Sequence, residues 1–247
     1  MANWSDPRTT AAPFATGADT RSVAYDAGLR SYMLSVYNYM ASGVLLTGIV
    51  ALLFSMGGTS SPAAAVFMSG GILKYIIMLS PLAFVMVLSF GINRLSTGAA
   101  QMIFWAFAGV MGLSMSTIFL VYTGSSIAIT FFATAAAFLS LSLYGYTTKR
   151  NLQAFGTFLI MGLVGIIVAS LLNLWFQSGT MSLVISAIGV LLFAGLTAYD
   201  TQRIKLMYSH VAGTDMMGKA VIMGALSLYL DFVNMFQFLL SFLGSRD

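Results

Sequence analysis

Residues 152–176 read LQAFGTFLIMGLVGIIVASLLNLWF, an apolar run without a charged side chain. A helix that crosses a bilayer needs about 20 mostly apolar residues, because its backbone polar groups must bond within the segment. The run meets this requirement and is too long and continuous for an alternating strand of a membrane β-barrel. It therefore predicts a membrane-spanning α-helix.

Six further stretches of the same kind lie along the chain, at residues 33–56, 72–90, 102–122, 126–146, 181–200 and 220–243. Several of the seven stretches contain small residues, such as Gly109, Gly112, Gly165 and Gly189, that let membrane helices approach closely. We predict an all-α integral membrane protein with a bundle of seven transmembrane helices over residues 31–247. A polar, partly disordered cytoplasmic tail is expected over residues 1–30.

The composition of the whole chain indicates the same class. Of 247 residues, 59% are hydrophobic and 7% are charged, whereas soluble domains carry about 25% charged residues. The absence of cysteine excludes disulfides and thiolate metal sites, and one histidine, His210 in a predicted loop, cannot build a histidine-rich site. We attribute the net charge of +4 to cytoplasmic loops and expect no binding to nucleic acid.

The positions of the basic residues indicate an orientation. Because cytoplasmic loops are enriched in Lys and Arg, the N-terminus is predicted to be cytoplasmic, and seven spans place the C-terminus outside. The polar residues of the seventh span also fit a re-entrant helix that returns the C-terminus to the cytoplasm. The bases on the predicted cytoplasmic side are Arg8, Arg21, Arg30, Arg94, Lys149, Arg150, Arg203, Lys205 and Lys219, whereas Lys74 and Arg246 lie on the other side.

A polar stripe crosses the seventh predicted span. Ser227, Asp231, Asn234, Gln237 and Ser241 recur at steps of three and four residues, which places them on one helix face. A hydrogen-bonded seam that only joins helices is the simpler interpretation. The aspartate favours a functional, pore-lining face, because acids inside a bilayer are costly and are usually functional.

A second acid, Asp200, is predicted to end the sixth span, where a carboxylate opposes the helix dipole. It either pairs with Arg203 or meets Asp231 inside the bundle. Two close carboxylates in a low dielectric cannot both ionise cheaply, so they would share a proton and respond to pH. They could also bind a hard cation such as calcium. Arg94 is either an interfacial anchor or the partner of Asp200.

The sequence does not indicate an enzyme. Residues 112–116, GLSMS, differ from the Gly-x-Ser-x-Gly elbow, and His210 outside the spans leaves an intramembrane serine protease without its base. Lys74 and Lys219 lie at span ends, which disfavours a retinal Schiff base. We expect no organic cofactor, and we expect membrane lipid and a hard cation such as calcium to contact the protein.

Five stretches of the sequence carry a family resemblance: residues 25–33 (YDAGLRSYM), 112–116 (GLSMS), 145–152 (GYTTKRNL), 195–202 (GLTAYDTQ) and 225–234 (ALSLYLDFVN). They resemble the Bax inhibitor-1 family of seven-span membrane proteins, and in particular its bacterial members. The resemblance implies a central seventh helix surrounded by the other six, and a pH-sensitive calcium leak in the bacterial inner membrane. It also implies that Asp200 and Asp231 sense protons, with Arg94 holding Asp200 in the closed form. Asn151 departs from an aspartate common in that family, at a position with no catalytic role.

These observations leave more than one function open. The first hypothesis is a passive cation pathway gated by the aspartate pair and lined by Ser227, Asn234 and Gln237. The second is a regulatory membrane protein that binds a membrane-bound protease or another partner, in which the tail of residues 1–30 matters more than the acids. Coupled cation–proton exchange is a third hypothesis.

Overall fold

The computed structural model describes residues 16–245, with side chains from residue 23 onward. This part of the chain is helical and contains no β-strand. A short 3-10 helix, Gly58–Ser60, lies between the first two α-helices. The α-helices are α1 Thr16–Ser55, α2 Pro62–Met68, α3 Leu73–Gly91, α4 Thr97–Met115, α5 Ile118–Val121, α6 Gly124–Thr147, α7 Gln153–Phe176, α8 Gly179–Val211 and α9 Met217–Leu243.

Seven segments in the described residues are long and apolar enough to cross a membrane, which confirms the predicted seven-helix membrane bundle. They are α1, α3, α4 together with α5, and α6 to α9. Hydroxyl side chains fix several of the starts. Ser96 accepts the Ala99 N–H before α4, and Ser178 accepts the Met181 N–H before α8. Such caps satisfy backbone donors that the first turn of a helix leaves free.

The sixth helix is longer than the apolar run that predicts it. Helix α8 continues from Asp200 to Val211, so the prediction that Asp200 lies at the C-terminus of its helix is wrong. Residues 201–211 contain no glycine or proline, and Ile204 and Tyr208 are buried four residues apart on one face. This spacing extends the packed face of the helix beyond the apolar run. His210 lies exposed in the last turn of α8 and not in a loop.

The first helix also begins earlier than predicted. Residues 16–30, which the sequence analysis assigned to a partly disordered tail, are the first turns of α1. Leu29 and Tyr32 are buried, and the rings of Tyr32 and Tyr208 lie 5.4 Å apart between their centres. The start of α1 is therefore packed against the end of α8. Residues 1–15 of the predicted tail lie outside the described residues, and its role as a separate unit stays a prediction.

Helix α9 is the central element of the bundle, as predicted. Half of its span is buried, against 11% of the span in α3, and it packs against α1, α4, α6 and α8. The buried Tyr229 hydroxyl lies 2.6 Å from Thr47 Oγ1, which itself donates to Ala108 O. Since the Thr47 proton is used, Tyr229 donates, and this chain joins α9 to α1 and α4. Helices α3 and α7 lie further out, packed mainly on α4 and α8.

The course of α9 shows that the re-entrant alternative is wrong. At its start, a Cβ placed on Gly218 would lie 2.8 Å from Thr97 Cγ2, at the start of α4. Beyond its end, Ser245 N donates to Ser126 Oγ at 2.9 Å, at the start of α6. These two helix starts lie at opposite ends of the bundle, because α4 and α5 cross between them. Helix α9 therefore crosses the whole bundle without a break.

Close helix contacts occur at some of the predicted small residues and not at others. A Cβ on Gly112 would lie 2.7 Å from Thr47 O, and a Cβ on Gly189 would lie 2.6 Å from the Phe238 ring. Gly109 and Gly165 have no described atom within 4 Å of such a Cβ. Glycine is thus required for packing at the first pair and not at the second.

Two side chains of α8 hold the connection between α6 and α7. Gln202 accepts the Leu152 N–H at 2.8 Å through Oε1 and donates to Arg150 O at 2.8 Å through Nε2. Lys205 Nζ donates to Tyr146 O at 2.7 Å. The connection therefore depends on the part of α8 that lies beyond Asp200.

We expect Gln202→Leu to expose this connection to proteolysis. Loss of two hydrogen bonds worth about 1 kcal/mol each should raise tryptic cleavage after Lys149 and Arg150 roughly 30-fold. Fragments of the purified protein, resolved by mass spectrometry over time, measure the rate. Gln153→Leu is the matched control, because that side chain is exposed at the start of α7. Equal rates in the two variants would refute the role of Gln202.

Candidate functional site

The acid of the central helix is buried without a full set of partners. Asp231 is 4% exposed, and its Oδ2 atom receives no hydrogen bond from the described residues. Ser227 and Asn234, one turn away on either side, lie half-buried on the same face of α9. Because a buried polar atom is normally paired, Asp231 Oδ2 marks a place where a ligand, a proton or water is needed.

Asp200 of α8 and Asp231 of α9 line the same cavity, which we call the central cavity. The two carboxyl groups are close enough to interact electrostatically. Helices α8 and α9 form the most extensive helix pair of the bundle, and this packing brings the acids together. The structure therefore places the two predicted acids in one space.

The central cavity has a volume of about 600 Å³ and lies between α7, α8 and α9. Helix α7 faces α9 across it and supplies apolar residues and Ser170. Among the described residues, neither lysine nor arginine lines it. Its lining residues are Leu163, Ile166, Ile167, Ser170, Leu171, Leu174, Phe193, Leu196, Asp200, Ser227, Leu230, Asp231, Asn234 and Phe238.

A second cavity of about 470 Å³, the basic-end cavity, adjoins the first and shares Asp200 and Ser227 with it. Arg203 and Lys219 lie in its wall, and Ser89 and Ile92 reach it from the end of α3. Asp200 and Ser227 thus lie at the boundary between an acidic apolar space and a basic one.

The structure does not bring Arg94 to the acids. Arg94 lies exposed in the turn after α3, and it lines neither of the two cavities that Asp200 lines. The base that acts electrostatically on Asp200 is Arg203, three residues further along α8. Asp200 thus lies near Arg203 at the basic end and near Asp231 in the central cavity, so the two interpretations that the sequence left open for Asp200 are compatible.

A third cavity of about 300 Å³, the far-end cavity, shares Ser170, Leu174 and Phe238 with the central cavity. Gln237 lines this cavity and not the central one, and its side chain is exposed. Ser186 donates to Ser241 Oγ at 3.0 Å in the same wall. The three cavities follow α8 and α9 from the basic end of the bundle to the other end.

This arrangement occurs in a chain whose sequence matches one family over almost its full length. Residues 29–247 match the family described as Inhibitor of apoptosis-promoting Bax1. The chain belongs to the Bax inhibitor-1 family. Inner membrane protein YbhL of Escherichia coli is 44% identical over 222 residues, which are 89% of this chain and 94% of YbhL. A Rickettsia prowazekii protein is 45% identical, over 92% of this chain and 94% of its own.

The sequence analysis missed some polar residues of this Bax inhibitor-1 family member. Ser170 and Asn173 of α7, and Ser182 and Ser186 of α8, line the far-end cavity. Each pair is spaced three or four residues apart within an apolar span, which is the spacing of one helix face. That signal was present in the sequence, but without an acid it resembles an ordinary interhelical seam.

The atoms around the acids that could coordinate a cation are oxygens. Asp200, Asp231, Ser227 and Asn234 offer carboxylate, hydroxyl and amide oxygens, which suit a hard cation such as calcium. In the described residues of this Bax inhibitor-1 family member, no three His, Cys, Asp or Glu side chains group together. Calcium takes six to eight oxygen ligands, so a cation here would keep much of its water.

Proposed function

We propose that this Bax inhibitor-1 family member is a pH-sensitive calcium leak, a passive cation pathway gated by Asp200 and Asp231. The observation that supports it is the row of three adjoining cavities along α8 and α9, with both acids in the central one. A row of cavities that follows two spanning helices offers a route across the bundle. Asp200 lies where the central and basic-end cavities meet, and Asp231 lies in the central cavity.

The charges favour a cation over an anion. The central cavity contains two carboxyl groups and no basic side chain, so an anion there would be repelled and desolvated. A cation would lose water but gain the carboxylate oxygens in a region of low dielectric. The far-end cavity adds hydroxyl and amide groups, which can bind a cation without holding it tightly.

The gate is proposed at the boundary formed by Asp200 and Ser227. Asp200 interacts with Arg203 on the basic side and with Asp231 on the other. Protonation of the pair would weaken its attraction both to Arg203 and to a bound cation. The side-chain packing at the boundary and the binding of a cation there would then change together. Arg94 keeps a proposed role as a latch in a conformation in which α3 lies closer to α8.

We propose the bacterial inner membrane as the location, because YbhL is named an inner membrane protein. The N-terminus is proposed to be cytoplasmic. The bases Arg94, Lys149, Arg150, Arg203, Lys205 and Lys219 all follow or precede helix ends at the same side of the bundle, where α8 ends and α9 begins. An excess of bases at one side of a membrane protein is typical of its cytoplasmic face.

Calcium flux into proteoliposomes across a range of pH tests this function. We expect Asp200→Asn and Asp231→Asn each to change the flux about tenfold and to flatten its dependence on pH, since each removes one negative charge from the cavity. Arg94→Ala should have a smaller effect, because Arg94 is exposed here. Asp215→Asn is the matched control, since Asp215 is exposed in the α8–α9 turn. Unchanged flux and pH response in both cavity variants would refute the proposal.

A further inference from the structure

The central cavity combines an apolar wall with a narrow polar one. Helix α7 contributes five apolar side chains to the lining, whereas the polar groups are concentrated on α8 and α9 around Asp200 and Asp231. Its volume of about 600 Å³ falls in the range of about 300–1,000 Å³ that is typical of small-molecule sites. An ion alone would leave most of that apolar surface uncovered.

The polar wall presents acceptors. Asp231 Oδ2 is buried without a donor in the described residues. Asn234 Nδ2 donates one of its two N–H groups to Leu230 O at 2.7 Å, and its amide oxygen is free to accept. Among the described residues that line the cavity, neither lysine nor arginine is present, and the donors are single neutral groups of Ser170, Ser227 and Asn234. Two carboxyl groups can accept more hydrogen bonds than these groups donate, and none of the groups is positively charged. A primary ammonium group is its complement, because it has three donors, no acceptor and a positive charge.

The cavity opens toward the outside of the bundle. Three of its α7 residues, Ile167, Leu171 and Leu174, are 51%, 61% and 73% exposed. Helix α7 packs mainly on α8, so its far edge does not close against α9. In a membrane protein that edge faces lipid, and a molecule dissolved in the bilayer can reach the acids without crossing the basic end.

We infer that the central cavity binds a lipid-soluble primary amine, with its ammonium group at Asp200 and Asp231 and its alkyl chain along α7. The inference uses the site of the proposed function and does not require that the site conducts ions. A neutral alkyl chain would cover the apolar wall but leave Asp231 Oδ2 unpaired. A fatty carboxylate would cover the same wall but bring a third negative charge to the acids. An alkyl amine covers the apolar wall with its chain and donates hydrogen bonds to the polar wall with its ammonium group.

Photolabelling of the full chain in zwitterionic lipid nanodiscs tests the inference. The probes are decylamine and decanol, each with a diazirine near the end of the chain, and the labelled residues are mapped by mass spectrometry. We expect decylamine to label the α7 wall about tenfold more than decanol, because a charge-assisted hydrogen bond is worth about 1.5 kcal/mol or more. Asp231→Asn should reduce the decylamine labelling to the decanol level.

Decanol labelling of the lipid-facing side of α6, near Ser140, controls for folding and should be equal in both proteins. Equal labelling of the α7 wall by the two probes, or decylamine labelling that survives Asp231→Asn, would overturn the inference. Calcium flux is measured separately on the same preparations. Flux without amine labelling refutes only the amine site, and amine labelling without flux refutes only the proposed leak.

Discussion

Gly145→Ala should lower the free energy of unfolding by about 2–3 kcal/mol, because the added methyl group has no space between α6 and α8. A Cβ at Gly145 would collide with the carbonyl oxygen of Ala198. That oxygen belongs to the backbone of a neighbouring spanning helix, so no side-chain rotation relieves the contact. The two helices would have to separate along a packed length, and other contacts between them would weaken.

The measurement is the stability of the purified protein in detergent, followed by thermal unfolding and by the fraction that stays monodisperse. Gly165→Ala is the matched control, since it makes the same change inside a spanning helix with no described atom within 4 Å of the new Cβ. Alanine loses less backbone entropy than glycine, so the control should be neutral or more stable by about 0.5–1 kcal/mol. Equal stability of the two variants would show that α6 and α8 can move apart freely.

This contrast illustrates why part of the fold could be read from the sequence. Seven long apolar runs can adopt few structures in the lipid interior, where no water can bond to the backbone. A helix satisfies the backbone polar groups within each run. The partner of each glycine depends on how the helices are arranged in space. Gly112 and Gly109 lie in one helix and look alike in sequence, yet only Gly112 meets another backbone.

The ends of the helices were less predictable for a related reason. Hydropathy marks where a chain leaves the apolar layer, whereas a helix continues until a residue such as Gly213, with φ +74°, stops it. Helix α8 therefore extends past Asp200, and α1 begins before the apolar run. Both extensions are packed on each other through Tyr32 and Tyr208. That contact joins distant parts of the chain and leaves no local sequence signal.

The candidate site was predictable where it contained acids. Asp231 stood out because a carboxyl group in an apolar span is costly, and Asp200 followed from its position at the edge of another span. The choice between Arg94 and Arg203 as the partner of Asp200 could not be made from composition. That choice requires knowing that α8 continues as a helix beyond Asp200, because the helix keeps Arg203 close to Asp200.

Ser227→Leu should reduce calcium flux about 100-fold, to the level of empty liposomes, while both acids remain. Ser227 lines the central and the basic-end cavities, and it precedes Asp231 by one turn of α9. A leucine there fills the boundary and removes its hydroxyl group, and a dry apolar constriction prevents a hydrated ion from passing. The change buries more apolar surface in a half-buried position, so the fold should be retained.

Flux in proteoliposomes measures the effect, with protein content and monodispersity matched between variants. Ser140→Leu is the control, because that serine lies exposed on α6 and bonds to Ala136 O of its own helix. Ser227→Ala separates the two causes, since it removes the hydroxyl group and leaves the space open. If filling the boundary is decisive, Ser227→Ala keeps most of the flux and Ser227→Leu does not. A leucine at the shared wall would prevent an ion from passing from one cavity to the next. Wild-type flux in Ser227→Leu would therefore mean that ions take a route other than the row of cavities along α8 and α9.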